Sequence, residues 1–325
     1  MTEKPEKAVQ FLVIDEKHAG QRLDNFLLAV RRGVPKSLIY RVIRKGEVRV
    51  NKKRCKPLDK LMLGDEVRIP PMDFTQPGEA AVPSKGFSNA LRDRVLWDDD
   101  ALLVIDKPSG LAVHGGSGIH LGMIESLRQI FPEYRFLELV HRLDRDTSGC
   151  VMVAKKRSAL KVLHEMLRQR KLDKGYLCLV HGAWPEEVRK VQEPLRKQVL
   201  QSGERLVKVD VDEGKPSDTR FRVVQRFGDV ATLMAAFPKT GRTHQIRVHA
   251  LSQGHVIMGD DKYATQEELA EAKQLGVRRL LLHAASLRLP HPFTQEEVRI
   301  EAAMPDAFRD VMNGLTQSMA DSTGD

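Results

Sequence analysis
Three breaks crowd into one short stretch of this sequence: Pro70-Pro71, Pro77-Gly78 and Pro83-Ser84-Lys85-Gly86. Proline withholds an amide donor and fixes φ, while glycine frees φ, so neither a helix nor a central strand is expected to run through them. A chain of 325 residues interrupted in this way is expected to fold as two units, and at that length it can bury a substantial core. The expected boundaries are an N-terminal extension over 1–19, a small domain over 20–76, a linker over 77–90, a large domain over 91–315 and a flexible polar tail over 316–325.

Charge divides along the same line. The chain carries a net +9, and residues 20 to 70 alone hold 14 Lys or Arg against 5 Asp or Glu, an excess equal to that of the whole protein. A compact basic unit beside a neutral body is the electrostatic footprint of nucleic-acid binding, where phosphate neutralisation and counterion release supply affinity. A membrane-surface patch would need an amphipathic stretch with an aromatic face, and none accompanies this charge. Within the unit, Ser37 is placed to cap a helix on which Leu38, Ile39, Val42 and Ile43 recur at helical spacing, with Arg41, Arg44 and Lys45 on another face. Gly46 ends it, Val48 and Val50 alternate with polar residues as in a short strand, Asn51-Lys52-Lys53-Arg54 forms a basic turn, and Gly64-Asp65 a second turn. A basic face is often merely solvated, but here helix, strand and turn carry cations together. Lys36, Arg41, Arg44, Lys45, Lys52, Lys53 and Arg54 are the expected RNA anchors.

From Val95 onwards strands predominate. Leu102 to Ile105, Cys150 to Ala154, Tyr176 to Val180, Phe221 to Val224 and Ala231 to Phe237 read as strands, and Arg157 to Arg170 places Leu160, Leu163 and Leu167 on one helical face. The mixture predicts an α+β domain around a substantial sheet.

Inside this domain, His141-Arg142-Leu143-Asp144-Arg145-Asp146-Thr147-Ser148-Gly149 sets one short carboxylate between two arginines and ends in turn residues. Strand-like segments on either side, Glu138 to Val140 and Cys150 to Ala154, make it a loop held by a sheet, where catalytic groups tend to sit. Arg142 and Arg145 are expected to favour the charged form of Asp144, which suits a nucleophile or base. Taken alone, an Arg-x-Asp-Arg sequence is better explained by a structural ion pair, and Asp146 to Gly149 by an Asx-type turn. Three further segments combine unusual polar residues with turn chemistry: Asp106-Lys107-Pro108-Ser109-Gly110, Lys174-Gly175-Tyr176, and Thr240-Gly241-Arg242-Thr243-His244-Gln245-Ile246-Arg247-Val248-His249.

Together these four segments resemble, in order and content, the RluA-type pseudouridine synthases, a likeness that runs from Gly20 to about Ala303. The basic segment resembles the α-L RNA-binding domain, through Gln21-Arg22-Leu23-Asp24, the Ser37 to Arg44 helix, Gly46-Glu47-Val48-Arg49-Val50-Asn51 and Gly64-Asp65-Glu66-Val67. The resemblance implies a large mixed, mainly antiparallel sheet with flanking helices, preceded by a small RNA-binding domain. It also implies isomerisation of uridines to pseudouridine in large-subunit ribosomal RNA, without a cofactor or metal. Carried over residue by residue, it makes Asp144 the catalytic residue and Arg142 the side chain that displaces the target nucleotide. Tyr176 becomes the ring that stacks on the flipped base, Arg247 the partner of Asp144, and Leu282, within Leu281-Leu282-His283-Ala284, part of the pocket wall. Where the family often has Asn before Lys-Pro, this chain has Asp106.

Other readings are weaker. His114-Gly115-Gly116-Ser117-Gly118 could cradle a phosphate, but no Gly-x-Ser-x-Gly nucleophile elbow occurs, and the segment is read as a tight turn near RNA. His244 and His249 lack an acidic partner at zinc-ligand spacing, so capping or RNA contact is expected of them. Neither a Walker loop nor a dinucleotide fingerprint is present. The three cysteines, Cys55, Cys150 and Cys178, are scattered and read as reduced, partly buried thiols. The apolar runs are far shorter than the ~20 residues that span a bilayer, and the first residues do not have the form of a signal peptide. The chain is therefore expected in the cytoplasm, acting as a monomer. Two alternatives stay open: a non-catalytic ribosome-assembly factor that only binds RNA, and a metal-free nucleoside hydrolase with a second carboxylate placed to activate water.

Overall fold
A computed structural model of the protein describes residues 9–16, 18–31, 34–72, 82–115, 121–199 and 205–322. The chain divides into two units, 1–80 and 81–325. In the first, β1 (Gln10–Val13), α1 (Leu23–Val30), α2 (Lys36–Lys45), β2 (Arg49–Val50), β3 (Lys53–Arg54) and β4 (Glu66–Ile69) follow in order, and the strands form an antiparallel sheet in the order β1-β4-β2-β3. Leu23, Phe26 and Leu27 from α1 pack with Ile39, Val42 and Ile43 from α2 and Val67 and Ile69 from β4 as one apolar core. Asp24 is buried beneath that layer, where it accepts a fork of hydrogen bonds from Arg22 at 3.1 and 2.6 Å and one from the Tyr40 hydroxyl at 2.6 Å. The Arg22 hydrogen bonds hold the Asp24 carboxyl below its ordinary range against the opposing effect of burial.

Helix α2 starts one residue before the expected cap: Pro35, with φ −60°, occupies the N-cap and Lys36 is the first helical residue. Proline has no amide to lose there and its fixed φ suits a helix entrance, so Ser37 lies inside the first turn. Gly46 closes the helix in the left-handed region, at φ 75°. The hairpin between β2 and β3 turns on Asn51 and Lys52, both left-handed at φ 49° and 64°, the backbone of a two-residue turn whose twist matches its strands.

The second unit contains α3 (Lys85–Arg92), β5 (Val95–Asp98), β6 (Leu102–Lys107), α4 (Met123–Ile130), β7 (Glu138–Leu139), β8 (Ser148–Ala154), α5 (Arg157–Arg168), β9 (Asp173–His181), β10 (Lys190–Val191), β11 (Leu195–Val199), β12 (Arg205–Val209), β13 (Thr219–Phe227), β14 (Ala231–Pro238), α6 (Gln245–Ser252), α7 (Gln266–Gln274), β15 (Leu282–Pro290), β16 (Glu297–Glu301) and α8 (Asp306–Ser322). Three elements cross the expected boundaries, the first being β1, which lies in the stretch expected to be an N-terminal extension yet pairs with β4 of the small unit. Ser84 Oγ accepts the Phe87 amide at 3.2 Å and starts α3 within the stretch expected to be linker. Helix α8 continues to Ser322, beyond the expected end of the domain at 315, because Phe308, Val311 and Leu315 anchor it to the core; 323–325 lie outside the described residues.

The main sheet runs β10-β13-β14-β9-β15-β8-β6-β5, with β7 also on β8 and β16 also on β15. Its pairings are antiparallel except for a short parallel contact of β15 with β8, so the sheet is mixed but mainly antiparallel. Alternation along the strands fills both faces. On one face Leu102, Val104, Cys150 and Met152 pack against Ala159, Leu163 and Met166 of α5; on the other Leu103, Ile105, Val151 and Val153 pack against Met123, Ile124 and Leu127 of α4. Farther along, Cys178, Val180, Met234 and Ala236 cover Ile246 and Ala250 of α6, while Leu179 and Leu233 meet α7 and α8. Strands covered on both faces read as unbroken apolar runs, and β8 is buried at every residue. Gly149 makes the parallel contact possible: it has φ 106°, and a Cβ there would stand 2.2 Å from the Ala284 carbonyl oxygen. Any side chain would push β15 away from the end of the Asp144 loop. Among the described residues no helix is long and apolar enough to cross a membrane.

Candidate active site
The loop ahead of β8, the start of β9, the loop and helix after β14, and the first residue of β15 meet in one cleft. It encloses about 370 Å³ and is lined by Arg142, Asp144, Tyr176, His244, Arg247 and Leu282, with Lys174 and Thr243 at its sides. Tyr176, Arg247 and Leu282 each lie more than 30 positions in sequence from any other site residue expected in the large domain, and the topology brings them to one surface with Arg142 and Asp144.

Asp144 is about one-third exposed, with Arg247 Nη1 donating to Oδ2 at a long 3.4 Å and His244 Nε2 standing 3.8 Å from the same oxygen. The arginines beside it in sequence point elsewhere. Arg142 donates to Thr243 Oγ1 at 3.1 Å, and Arg145 pairs with Asp146 at 3.1 Å. The expectation that Arg142 and Arg145 would hold Asp144 is therefore corrected: consecutive side chains leave a loop in different directions, and the cation that reaches the carboxylate comes from α6. Arg247 is itself fixed from behind, because Asp260 accepts from Nε at 2.7 Å and Nη2 at 2.6 Å. That fork matches the planar guanidinium, and both partners are buried.

Lys107 holds the loop from below. It is fully buried and donates to the carbonyls of Pro108 at 2.9 Å, Leu111 at 2.8 Å and Arg145 at 2.8 Å. Burial pushes its ammonium down to about 7, opposed by the Asp146 and Asp144 carboxylates. Three carbonyl acceptors call for three N–H donors, which only the charged amine has, so the geometry is that of an ammonium. Two more bonds bind the same segments: Ser109 Oγ donates to the Asp146 carbonyl at 2.7 Å and the Gly110 amide to the Arg145 carbonyl at 2.9 Å. Asp106, where the resembled family often has Asn, pairs with Arg94 at 2.9 Å. At the loop's other end His141 Nε2 accepts the Met152 amide at 3.1 Å, and burial, with Lys174 nearby, pushes that imidazole down to about 3.

Tyr176 sits in β9 opposite Ala236 of β14, and its ring joins two neighbouring apolar clusters on one face of the sheet. Burial and the neighbouring Asp144 raise its phenol well above the ordinary range, so the cleft receives a neutral aromatic. Leu282 is buried and opposite Cys178. His244 occupies the N-cap of α6 in the left-handed region, with φ 53° and ψ 21°. His249, by contrast, is buried in a polar nest with Ser217 Oγ at 2.8 Å and Thr219 Oγ1 at 2.9 Å, where it faces no RNA. Gly116 to Gly118 of the glycine-rich turn lie outside the described residues. Among the described residues no group of three or more His, Cys, Asp or Glu could hold a metal, and the three cysteines are free.

In the N-terminal unit Lys36, Arg41, Arg44, Lys45, Lys52, Lys53 and Arg54 are all exposed. The hairpin folds back on α2, so that a Cβ added to Gly46 would stand 2.8 Å from Arg54 Nε, which brings cations of helix and turn to one end. Lys45 also faces Glu47 at 3.7 Å.

Asp260, Tyr263 and Lys107 complete the site and are not singled out by the sequence reading, which expects of His244 only capping or RNA contact. A signal existed for two of them. Lys107 lies inside a segment already marked by turn chemistry, and Asp260 follows Val256-Ile257-Met258-Gly259, an abrupt change from apolar run to carboxylate that suggests a buried, partnered acid.

The RNA pseudouridylate synthase family matches residues 101–252, and the S4 domain family matches residues 21–67. The chain is 55% identical over 311 residues to the ribosomal large subunit pseudouridine synthase C of Yersinia pestis, covering 95% of this chain and 97% of that protein. To its counterpart from Haemophilus influenzae it is 50% identical over 324 residues, with 98% and 100% covered. The solved structure of human RNA pseudouridylate synthase domain containing 4 is similar with a TM-score of 0.59 and 25% identity, covering 70% of this chain and 95% of that one. With near-complete coverage at this identity, and with the cleft built from the segments that carry the likeness, the chain belongs to the RluA-type family of RNA pseudouridine synthases.

Proposed function
We propose that this protein isomerises specific uridines of large-subunit ribosomal RNA to pseudouridine, acting as a monomer in the cytoplasm and without a cofactor. The observation that carries the reading is the placing of Asp144 in the cleft, with Arg247 on one carboxylate oxygen and the Tyr176 ring and Arg142 at its walls. The reaction breaks the bond from ribose C1′ to N1, turns the uracil and joins C1′ to C5. The proton leaves C5 and N1 gains one, so no group is transferred and no redox partner is required. A glycosidase divides the work between an acid and a second carboxylate that attacks or activates water. Here the base must be kept and water excluded, for which one carboxylate and an aromatic wall suffice. Asp144 acts on the ribose through Oδ1, since both neighbours lie on Oδ2.

A stacked uridine hides its reacting atoms, so the nucleotide must be extruded at a cost of about a few kcal/mol. Arg142, exposed and tied to Thr243 by a single bond, fits the role of displacing the base. Tyr176 then replaces the lost stacking, Leu282 closes the pocket beneath, and the cations of the S4-like unit anchor the surrounding RNA. The test is to map pseudouridine in large-subunit ribosomal RNA from a strain lacking the protein, and again after restoring wild type or Asp144→Asn. The reading expects sites that vanish on deletion and return only with the wild type; an unchanged map in the deletion strain overturns it, and is what an RNA-binding assembly factor would give.

A further inference from the structure
Tyr263 does not line the cleft, yet both groups that face Asp144 Oδ2 rest on it. Its hydroxyl accepts the Val207 amide of β12 at 3.0 Å and lies 2.7 Å from His244 Nδ1. An amide can only donate, so the phenol oxygen accepts there, and its own proton is left for Nδ1. A neutral His244 ring then carries its hydrogen on Nε2, the nitrogen that faces Asp144. Burial, with Arg247 and Lys262 nearby, pushes the His244 imidazole below its ordinary range against the pull of Asp144 and Asp260, and burial raises the Tyr263 phenol to about 12, so acceptor and donor both keep these forms at neutral pH.

The ring supports the other neighbour. Arg247 Cζ lies 5.0 Å from the Tyr263 centroid, a cation–π distance, while His244 meets the same ring edge-on at 5.5 Å and 84°. The Tyr263 and Ala264 amides donate to the Asp260 carbonyl at 3.3 and 3.0 Å, so one turn carries both the clamp on Arg247 and the tyrosine. His244 holds a left-handed backbone, uncommon for a residue with a side chain. Val207 and Leu195, at the base of the β11–β12 hairpin, pack on Val248 of α6, which fixes the amide that orients the phenol.

We infer that Tyr263 is a positioning residue for the isomerisation: it fixes His244 as a neutral Nε2–H donor toward Asp144 Oδ2 and supports Arg247 on the same oxygen, leaving Oδ1 to the ribose. The inference rests on the function proposed above. At 3.8 Å the histidine is beyond hydrogen-bond reach, and such contacts tighten when substrate closes the site.

The experiment uses the full chain and large-subunit ribosomal RNA purified from a strain lacking it. Long-range nitrogen–proton NMR, with His244→Gln used to assign the signal, reads the tautomer. Wild type is expected to show Nε2–H alone, and Tyr263→Phe a mixture of tautomers. Tyr263→Phe is expected to lower kcat about tenfold, the loss of one hydrogen bond, with KM within about twofold because phosphate contacts set binding. His244→Gln, which retains a donor, is expected to keep more of kcat than His244→Leu, and this pair serves if Tyr263→Phe does not fold. A wild-type ring protonated on Nδ1 overturns the inference. So does a folded Tyr263→Phe, or a His244→Leu, with wild-type kcat, while an active wild type leaves the functional reading standing. A wild type that converts no uridine removes that reading and this inference with it.

Discussion

Arg247 gives two short hydrogen bonds, 2.7 and 2.6 Å, to the buried Asp260 and only one long bond, 3.4 Å, to Asp144. The arginine is thus secured by a residue closed off from the cleft, and its remaining nitrogen is presented to the carboxylate that lines the cleft. A side chain pinned in this way keeps its position whether or not the cleft is filled.

Asp260→Asn removes the charge that compensates a buried guanidinium. Breaking such a pair from one side costs about 3–5 kcal/mol, and a displacement of about 1 Å at the reacting centre can cost about 100-fold in rate. Urea denaturation and single-turnover pseudouridine formation should show both losses. Arg247→Lys should lose activity too, since an ammonium cannot span two carboxylates as a planar fork does; full activity in either variant would contradict the geometry.

Lys107→Met keeps length and apolar stem but removes the donor to the Pro108 and Leu111 carbonyls, while the Arg145 carbonyl retains the Gly110 amide. Each buried unsatisfied acceptor costs about 1–3 kcal/mol, so destabilisation of about 2 kcal/mol or more is expected in the urea midpoint of the large unit. An unshifted midpoint would mean that the carbonyls find other partners.

Stability should fall on acidification. The His141 imidazole is held near 3 in the folded chain against about 6.5 unfolded, so the unfolded state binds the extra proton first. The contribution is complete above pH 6.5 and is lost as pH falls from 6.5 toward 3, amounting to about 2 kcal/mol by pH 5. His181, His249 and His283 are lowered by burial as well and act in the same direction. Urea midpoints at pH 7 and pH 5 measure the slope, and His141→Gln, which can still accept the Met152 amide, should flatten it by that amount.

Replacing Arg41, Arg44 and Lys45 together by Gln should leave the fold unchanged, because all three are exposed. RNA binding should weaken, and the slope of log K against log salt should decrease by about 2, at about 0.7 for each phosphate that is no longer neutralised. An unaltered slope would remove this helix from the RNA-binding surface.

The architecture was largely legible because its signals are local. Leu102 to Ile105 and Cys150 to Ala154 are short unbroken apolar runs, the mark of strands buried on both faces, and such runs are visible without knowledge of neighbours. Element ends were less legible. Ser37 was expected at a helix start that Pro35 occupies, and α8 runs past Leu315 because that residue has a buried site to fill, a fact held by the rest of the core rather than by the tail's own polar composition.

The sequence by itself determined that a charge-dense loop around Asp144, a basic first unit and a strand-rich second unit belong to one protein, and motif order pointed to Asp144, Tyr176 and Arg247 as partners. Local spacing and motif order named different cations for Asp144, and the tertiary structure decided between them. Arg142 and Arg145 lie within two positions of it in sequence but turn to Thr243 and Asp146, whereas Arg247, more than 100 residues away, is delivered by α6 and locked by Asp260. Sequence spacing constrains direction only within a helix or strand; in a loop, what a side chain meets is set by which other elements the sheet brings alongside it.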